Sequence, residues 1–149
     1  MPNHVTLQPV GKENWQALAK LKVSAEQRKF VAEPTYYLAL CFYEKIWNPL
    51  AICLDEQVIG FLMWGDDPEE SSCWLGGFFI DLDFQSKGYG RKALESAIGK
   101  LSEENGYRHF ALSYHPENAV AKTFYVGFGF NETGEMAEDE IVARHYLDG

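Results

Sequence analysis

Gln85-Ser86-Lys87-Gly88-Tyr89-Gly90-Arg91-Lys92-Ala93-Leu94-Glu95-Ser96-Ala97-Ile98 decides the fold, because a glycine-bearing turn opens straight into an amphipathic helix just after an apolar strand, Trp74 to Leu82. Ala93, Leu94, Ala97, Ile98 and Leu101 recur at the helical period and predict a face packed on a sheet. The first N–H groups of such a helix lack internal partners and carry the positive end of the macrodipole, so phosphate oxygens are natural ligands there. Gly88 and Gly90 let backbone approach a pyrophosphate closely.

Two common phosphate motifs fit poorly. A Walker loop needs Gly-Lys-Ser/Thr at the helix entry, whereas here Lys87 precedes Gly88 and Tyr89 follows it. The dinucleotide fingerprint asks for a third glycine where Ala93 stands, and the next strand, Tyr107 to Tyr114, ends without the acid that would hold a ribose.

Around this stretch the pattern predicts one α/β domain over residues 1–149. Val5 to Val10 reads as a strand. Asn14 is a candidate N-cap for a helix carrying Trp15, Leu18, Ala19 and Leu21, and a second helix runs from Thr35 to Ile46 after Pro34. Leu50–Leu54 and Val58–Trp64 form a hairpin across Asp55-Glu56-Gln57, and the polar turn Asp66 to Ser71 leads into the long strand Ser72 to Leu82. After the glycine turn, a helix to about Glu104, the strand Tyr107–Tyr114, a helix from Asn118 to Val126, and strands Phe128–Thr133 and Glu140–Leu147 complete the chain.

The 149 residues are 46% hydrophobic and 15% aromatic, which suits a folded core. No apolar run approaches the roughly 18 to 20 residues of a membrane span, and Met1 to Val10 lacks the charged start and apolar middle of a leader. A cytoplasmic protein with no membrane partner is expected. The 3 cysteines, Cys41, Cys53 and Cys73, sit among apolar neighbours and suit buried reduced thiols better than a disulfide frame or a metal site. A net charge of −9 and a pI near 4.8 argue against a nucleic-acid partner and suit a small cation.

Gln85-x-x-Gly88-x-Gly90 after an apolar strand resembles the coenzyme-A pyrophosphate loop of the GNAT superfamily of N-acetyltransferases. A second stretch, His115-Pro116-Glu117-Asn118-Ala119-Val120-Ala121-Lys122-Thr123-Phe124-Tyr125-Val126-Gly127-Phe128-Gly129-Phe130, resembles that superfamily's other signature: an Asn opening a helix, an aromatic-Tyr pair and a Gly-Phe close. The resemblance implies the acyl-CoA N-acyltransferase fold, a mixed and mostly antiparallel sheet, flanked by helices, whose central parallel strands splay apart. It implies acetyl-CoA as co-substrate, no metal, and a homodimer. Pantetheine would pair with Phe79, Ile80, Asp81 and Leu82. The pyrophosphate would lie on Gln85, Ser86, Lys87, Gly88, Tyr89, Gly90 and Arg91, with Asn118, Ala121, Lys122 and Tyr125 completing the cofactor contacts.

The residue types have chemical reasons. Asn118 can cap its helix with the side-chain oxygen and still offer its amide to the cofactor, or serve as a plain N-cap. The Tyr125 hydroxyl would give a proton to the departing thiolate, or else Tyr125 is a core tyrosine satisfied by backbone. An amine with a pKa of about 10 must lose a proton before it attacks, and backbone N–H groups near Ile80 would polarise the thioester carbonyl. The 4 histidines, His4, His109, His115 and His145, are scattered and make no nucleophile–base pair.

Finer similarity, in Phe30-Val31-Ala32, Gly60-Phe61-Leu62-Met63, Phe79-Ile80-Asp81 and Leu112 to Asn118, is to the bacterial diamine and spermine/spermidine acetyltransferase branch, and implies a polyamine acceptor; the alternatives are another amine (an aminoglycoside, an amino acid or a protein N-terminus) or a non-catalytic acyl-CoA-binding module. Carboxylates to hold a polycation are sought at Glu26, Glu33, Glu44, Asp66, Asp67, Glu69, Glu70, Asp81, Glu135 and Glu138, with Tyr36, Tyr37, Trp64 and Trp74 as walls. Gly76-Gly77 departs from the pattern by lacking the bulky or acidic residues of related strands. That leaves the general base to a carboxylate such as Glu33, reached through water.

Overall fold

The computed structural model describes residues 4–147. The reading of Met1–Val10 and the 1–149 span therefore lie, at Met1–Asn3 and Asp148–Gly149, outside the described residues. In chain order come β1 (Val5–Pro9), α1 (Trp15–Ala19), α2 (Pro34–Tyr43), β2 (Trp47–Leu54), β3 (Gln57–Asp67) and β4 (Ser72–Ile80). These are followed by α3 (Tyr89–Asn105), β5 (His109–Tyr114), α4 (Ala119–Phe128), β6 (Asn131–Ala137) and β7 (Glu140–Tyr146). The strands make one 7-stranded sheet, ordered β1-β2-β3-β4-β5-β7-β6, in which only β4 and β5 pair in parallel.

The element order is the expected one, with shifted boundaries. α2 stops at Tyr43 rather than Ile46, because Glu44 turns extended at φ −102 and ψ 91. β4 ends at Ile80, where the Asp81 carboxylate accepts the Asp83 N–H and starts a short 3-10 turn, Leu82–Phe84. α4 runs on through Phe128, so β6 starts at Asn131. The break that the sequence suggests at Gly127 falls instead at Gly129, with φ +133.

Both faces of the sheet are covered. On one, Leu94, Ile98 and Leu101 of α3 pack on Ile52, Ile59, Phe110 and Leu112. On the other, Leu18 of α1 and Cys41 of α2 pack on Ala51, Phe61 and Phe79. Cys41, Cys53 and Cys73 are buried and free, as their apolar surroundings suggest, and burial pushes the Cys41 thiol up to about 11.

The two parallel strands pair at Cys73–Phe110 and Trp74–Ala111. Beyond that they diverge, and the cause lies in β4. Between the pairs Met63–Gly76 and Phe61–Phe79, β4 holds one residue more than β3, a bulge at whose start Gly77 takes φ +59. A bulge of this kind bends its strand and strengthens its twist, which carries the end of β4 away from β5.

Arg144 clamps the closed end of the splay. Buried against the Trp74 ring, it donates to Glu135 at 2.7 and 3.0 Å and to Glu70 at 3.0 Å. The bonds from Arg144, then Thr133, hold the Glu135 carboxyl down at about 2, below its usual 4.5. A depressed carboxyl stabilises the fold above its unfolded-state value and loses that contribution as pH falls through the folded one. The difference in Tm between the protein and Glu135→Gln should therefore hold at its full size above pH 4.5 and close as pH falls toward about 2, followed by thermal melts.

Candidate active site

The splay opens into a cleft of about 880 Å³, bounded by the ends of β4 and β5, the first turn of α3 and one face of α4. Its floor on the α3 side is set by the local conformation after β4. Ser86 and Gly88 both adopt left-handed backbone, at φ +63 and +85. Gly88 is the residue just before α3, and a Cβ there would meet nothing within 4 Å, so glycine is demanded by the backbone angle and not by space. The turn leaves the first N–H groups of a 17-residue helix at the cleft.

Phe79 and Ile80 line the cleft, as do Gln85, Ser86, Gly88, Gly90 and Arg91. Asn118, Ala121 and Tyr125 line it from the other side. Asp81, Leu82, Lys87, Tyr89 and Lys122 are outside the lining. For two of these the reason is explicit: the Asp81 N–H donates to Ile59 O and the Leu82 N–H to Lys22 O, both at 2.7 Å. Their amides hold the sheet and the α1–α2 connection. Because the Asp81 amide points to β3, strand alternation turns the amide of Ile80 the opposite way, into the splay.

Gln85 does more than its place in the loop suggests. Its amide donates to Ile80 O at 2.8 Å and to Gln27 Oε1 at 2.7 Å, and Gln27 Oε1 also receives the Ser24 N–H. The segment between α1 and α2 is thereby fastened to the end of β4. Phe30 of that segment reaches across to the His115 ring, 5.4 Å between centroids, and roofs the cleft.

On α4, Asn118 Oδ1 accepts the Ala121 N–H at 3.1 Å, which caps the helix and leaves the amide nitrogen to donate elsewhere. Tyr125 packs among Phe124, Phe130, Tyr114 and Phe78, with ring centroids 5.2 to 6.4 Å away. Burial pushes its phenol well above 10, with Tyr37 and Tyr114 adding to the shift, so the group keeps its proton at neutral pH. The two phenols that act on it are spoken for: Tyr37 accepts the Ala32 N–H and Tyr114 donates to Glu132. Among the described residues the Tyr125 hydroxyl makes no hydrogen bond. It is therefore not a core tyrosine satisfied by backbone.

The carboxylates are redistributed relative to expectation. Glu33 borders a separate small hollow with Leu21, Arg28 and Pro34, not the cleft. Glu70 and Glu135 serve Arg144, Asp66 serves Tyr107, and Asp81 accepts the Lys22 N–H. Trp64 packs edge-on against Tyr107 and Trp74 lies under Arg144. Of the acids named from sequence, only Glu26 lines the cleft, joined by Glu117 and Glu140. Glu140 opens β7, and no local pattern marks it; only the register Tyr114–Ile141 brings it beside the end of β5.

The description "Acetyltransferase (GNAT) family" belongs to a family model that matches residues 15–130. The chain belongs to that family. Its fold is the GNAT fold: a structure of RimL, the ribosomal L7/L12 alpha-N-protein acetyltransferase, in complex with coenzyme A, superposes with a TM-score of 0.79 at 16% identity, covering 97% of this chain and 94% of that one. The spermidine N-acetyltransferase of Vibrio cholerae, in complex with CoA and spermine, gives 0.74 at 17% identity over 96% and 94% of the chains. By sequence, the spermine/spermidine N(1)-acetyltransferase of Bacillus subtilis (strain 168) is 30% identical over 138 residues, 89% of this chain and 91% of the relative. The probable spermine N(1)-acetyltransferase of Bacillus subtilis subsp. natto (strain BEST195) matches at the same identity and extent. These relatives come from the branch of the GNAT family that the sequence resembles.

Proposed function

We propose that this GNAT protein is an acetyl-CoA-dependent N-acetyltransferase that acetylates a primary amine of a polyamine such as spermine or spermidine. The observation that carries the proposal is the unbonded, protonated Tyr125 hydroxyl in a cleft that also receives the first turn of α3. A phosphate-binding helix end and a proton donor, on opposite walls of one splay, are what a phosphorylated thiol carrier requires.

Acetyl-CoA supplies an acetyl group activated as a thioester. The α3 end, from Ser86 through Gly90 with Arg91 beside it, holds the pyrophosphate on backbone N–H groups. Lys87, exposed on the turn, adds positive charge. Phe79 and Ile80 present the β4 edge to the pantetheine arm, and the inward Ile80 amide steadies the carbonyl oxygen. The Asn118 amide nitrogen and Ala121 border the arm from α4. Tyr125 holds the proton that the departing thiolate takes.

The polyamine assignment draws support from the curated relatives named as spermine or spermidine acetyltransferases. The charge of −9 favours accumulation of a polycation near the cleft. The reading takes the enzyme to work in the cytoplasm as a homodimer, with Phe42 and Tyr43 at the end of α2 and Ile46 just after it exposed to 65–76% and available to a second copy. Thiol release should be fastest with spermine or spermidine across a panel that includes aminoglycosides and amino acids. Calorimetry should register uptake of coenzyme A; folded protein that takes up none would end this reading.

A further inference from the structure

An acetyltransferase of this kind must take a proton from an ammonium, and β4 brings no titratable side chain to the task between Leu75 and Ile80: the residues are Gly76, Gly77, Phe78 and Phe79. The structure gives a physical reason for the glycine at 77. A Cβ on Gly77 would stand 3.1 Å from both the Tyr37 and the Phe61 rings, on a backbone already at φ +59. The volume beside the bulge belongs to Tyr37, which α2 delivers from the opposite face and which stacks on Phe61 and Phe79.

Three carboxylates line the cleft, and they differ in setting. The side chains of Glu26 and Glu117 are 88% and 83% exposed at its rim. Glu140 is half-buried, and its Oε1 accepts the Ser113 hydroxyl at 2.7 Å, which fixes the carboxylate against β5. No lysine or arginine pairs with it among the described residues. Burial raises the Tyr37 phenol, and the Glu140 charge raises it further, while Tyr37 in turn raises Tyr125. Glu140, Tyr37 and Tyr125 all line the one cleft.

We infer that Glu140 is the catalytic carboxylate for the acceptor: it binds the primary ammonium of the substrate in the cleft and removes its proton. This rests on the acetyl-transfer reading above. In the step, one N–H proton passes from the ammonium to Glu140, and the freed nitrogen lone pair forms the carbon–nitrogen bond to the acetyl carbon. The carbon–sulfur bond breaks, its electron pair leaves on sulfur, and Tyr125 protonates that sulfur. The second proton shed by the substituted nitrogen restores Tyr125, and Glu140 releases the first to water. No oxidant or metal enters the balance.

Glu140→Gln keeps the shape and can still accept from Ser113, so it tests the charge and the proton. The titratable group facing residue 140 from α2 is Tyr37, which stays protonated; β5 contributes Ser113, and β6 pairs with it through Ala137. With spermidine as substrate, kcat/KM of the variant should be about 100-fold or more below wild type at neutral pH, while coenzyme A affinity by calorimetry is unchanged. As pH approaches the amine pKa of about 10, free amine accumulates and the deficit should narrow to less than about tenfold. A deficit that is the same at every pH, a fall in coenzyme A affinity to match, or a wild-type rate in the variant would overturn the assignment while leaving acetyl transfer standing. Wild-type protein that binds coenzyme A yet acetylates no amine would overturn the acetyl-transfer reading itself, and Glu140 with it.

Discussion

Tyr125→Phe should lower kcat by about 100-fold or more with every amine tested, because in the proposed mechanism the thiolate would then leave without a proton donor. The substitution is sterically quiet. Tyr125 meets Phe78, Tyr114, Phe124 and Phe130 through its ring alone, and the hydroxyl has no hydrogen bond to lose among the described residues. Tm and coenzyme A affinity should therefore stay within error of wild type, measured by calorimetry. A variant that keeps its kcat would show that the thiolate leaves unaided or is protonated from elsewhere. Coenzyme A binding would be untouched by that result, since the site proposed for its pyrophosphate is on α3.

Gly60→Ala should produce the largest loss of stability of any change to a glycine. Its Cβ would stand 2.5 Å from the Phe79 carbonyl oxygen, a backbone atom that cannot swing aside, and 3.0 Å from Ile80 Cδ1. Relief requires β3 and β4 to move apart at the pairs Gly60–Ile80 and Phe61–Phe79. Overpacking of this kind costs about 2–3 kcal/mol, or roughly 4–12 °C in Tm for a chain of this size. Because Phe79 and Ile80 form the wall of the cleft, coenzyme A affinity should fall as well. Gly99→Ala provides the contrast: nothing lies within 4 Å of its Cβ inside α3, so a gain of about 0.5–1 kcal/mol is expected. Thermal melts of the two proteins side by side check both signs.

The fold was legible because its decisive signals are local. Ala93, Leu94, Ala97, Ile98 and Leu101 are the buried residues of α3, as their spacing requires, and Asn118 caps α4. Helical periodicity and capping depend on neighbours within a turn or so, so a sequence read alone carries them. Two of the misplaced ends, Tyr43 for Ile46 and Asn131 for Phe128, fall where a helix gives way to a strand whose partner is distant in sequence. There pairing energy, not local propensity, sets the boundary.

The acids were harder to assign. Glu33 has an ordinary surface setting, whereas Glu70 and Glu135 converge on Arg144 from elements 74 and 9 residues away. Glu140 has no signature at all. Whether a carboxylate faces a cleft, a cation or water depends on strand register, and a slip of one residue would turn it to the other face.

By itself the sequence determined the family, the order of strands and helices, the glycine turn at Gly88 that opens α3 and the tyrosine on α4. Each rests on short-range geometry or on a motif contained within one element. Only the tertiary structure decided how far β4 and β5 part, which amides of β4 turn inward and which carboxylates stand in the cleft. Those follow from a bulge at Gly77 and from pairings between strands far apart in the chain, where the free energy lies in contacts that no local stretch contains.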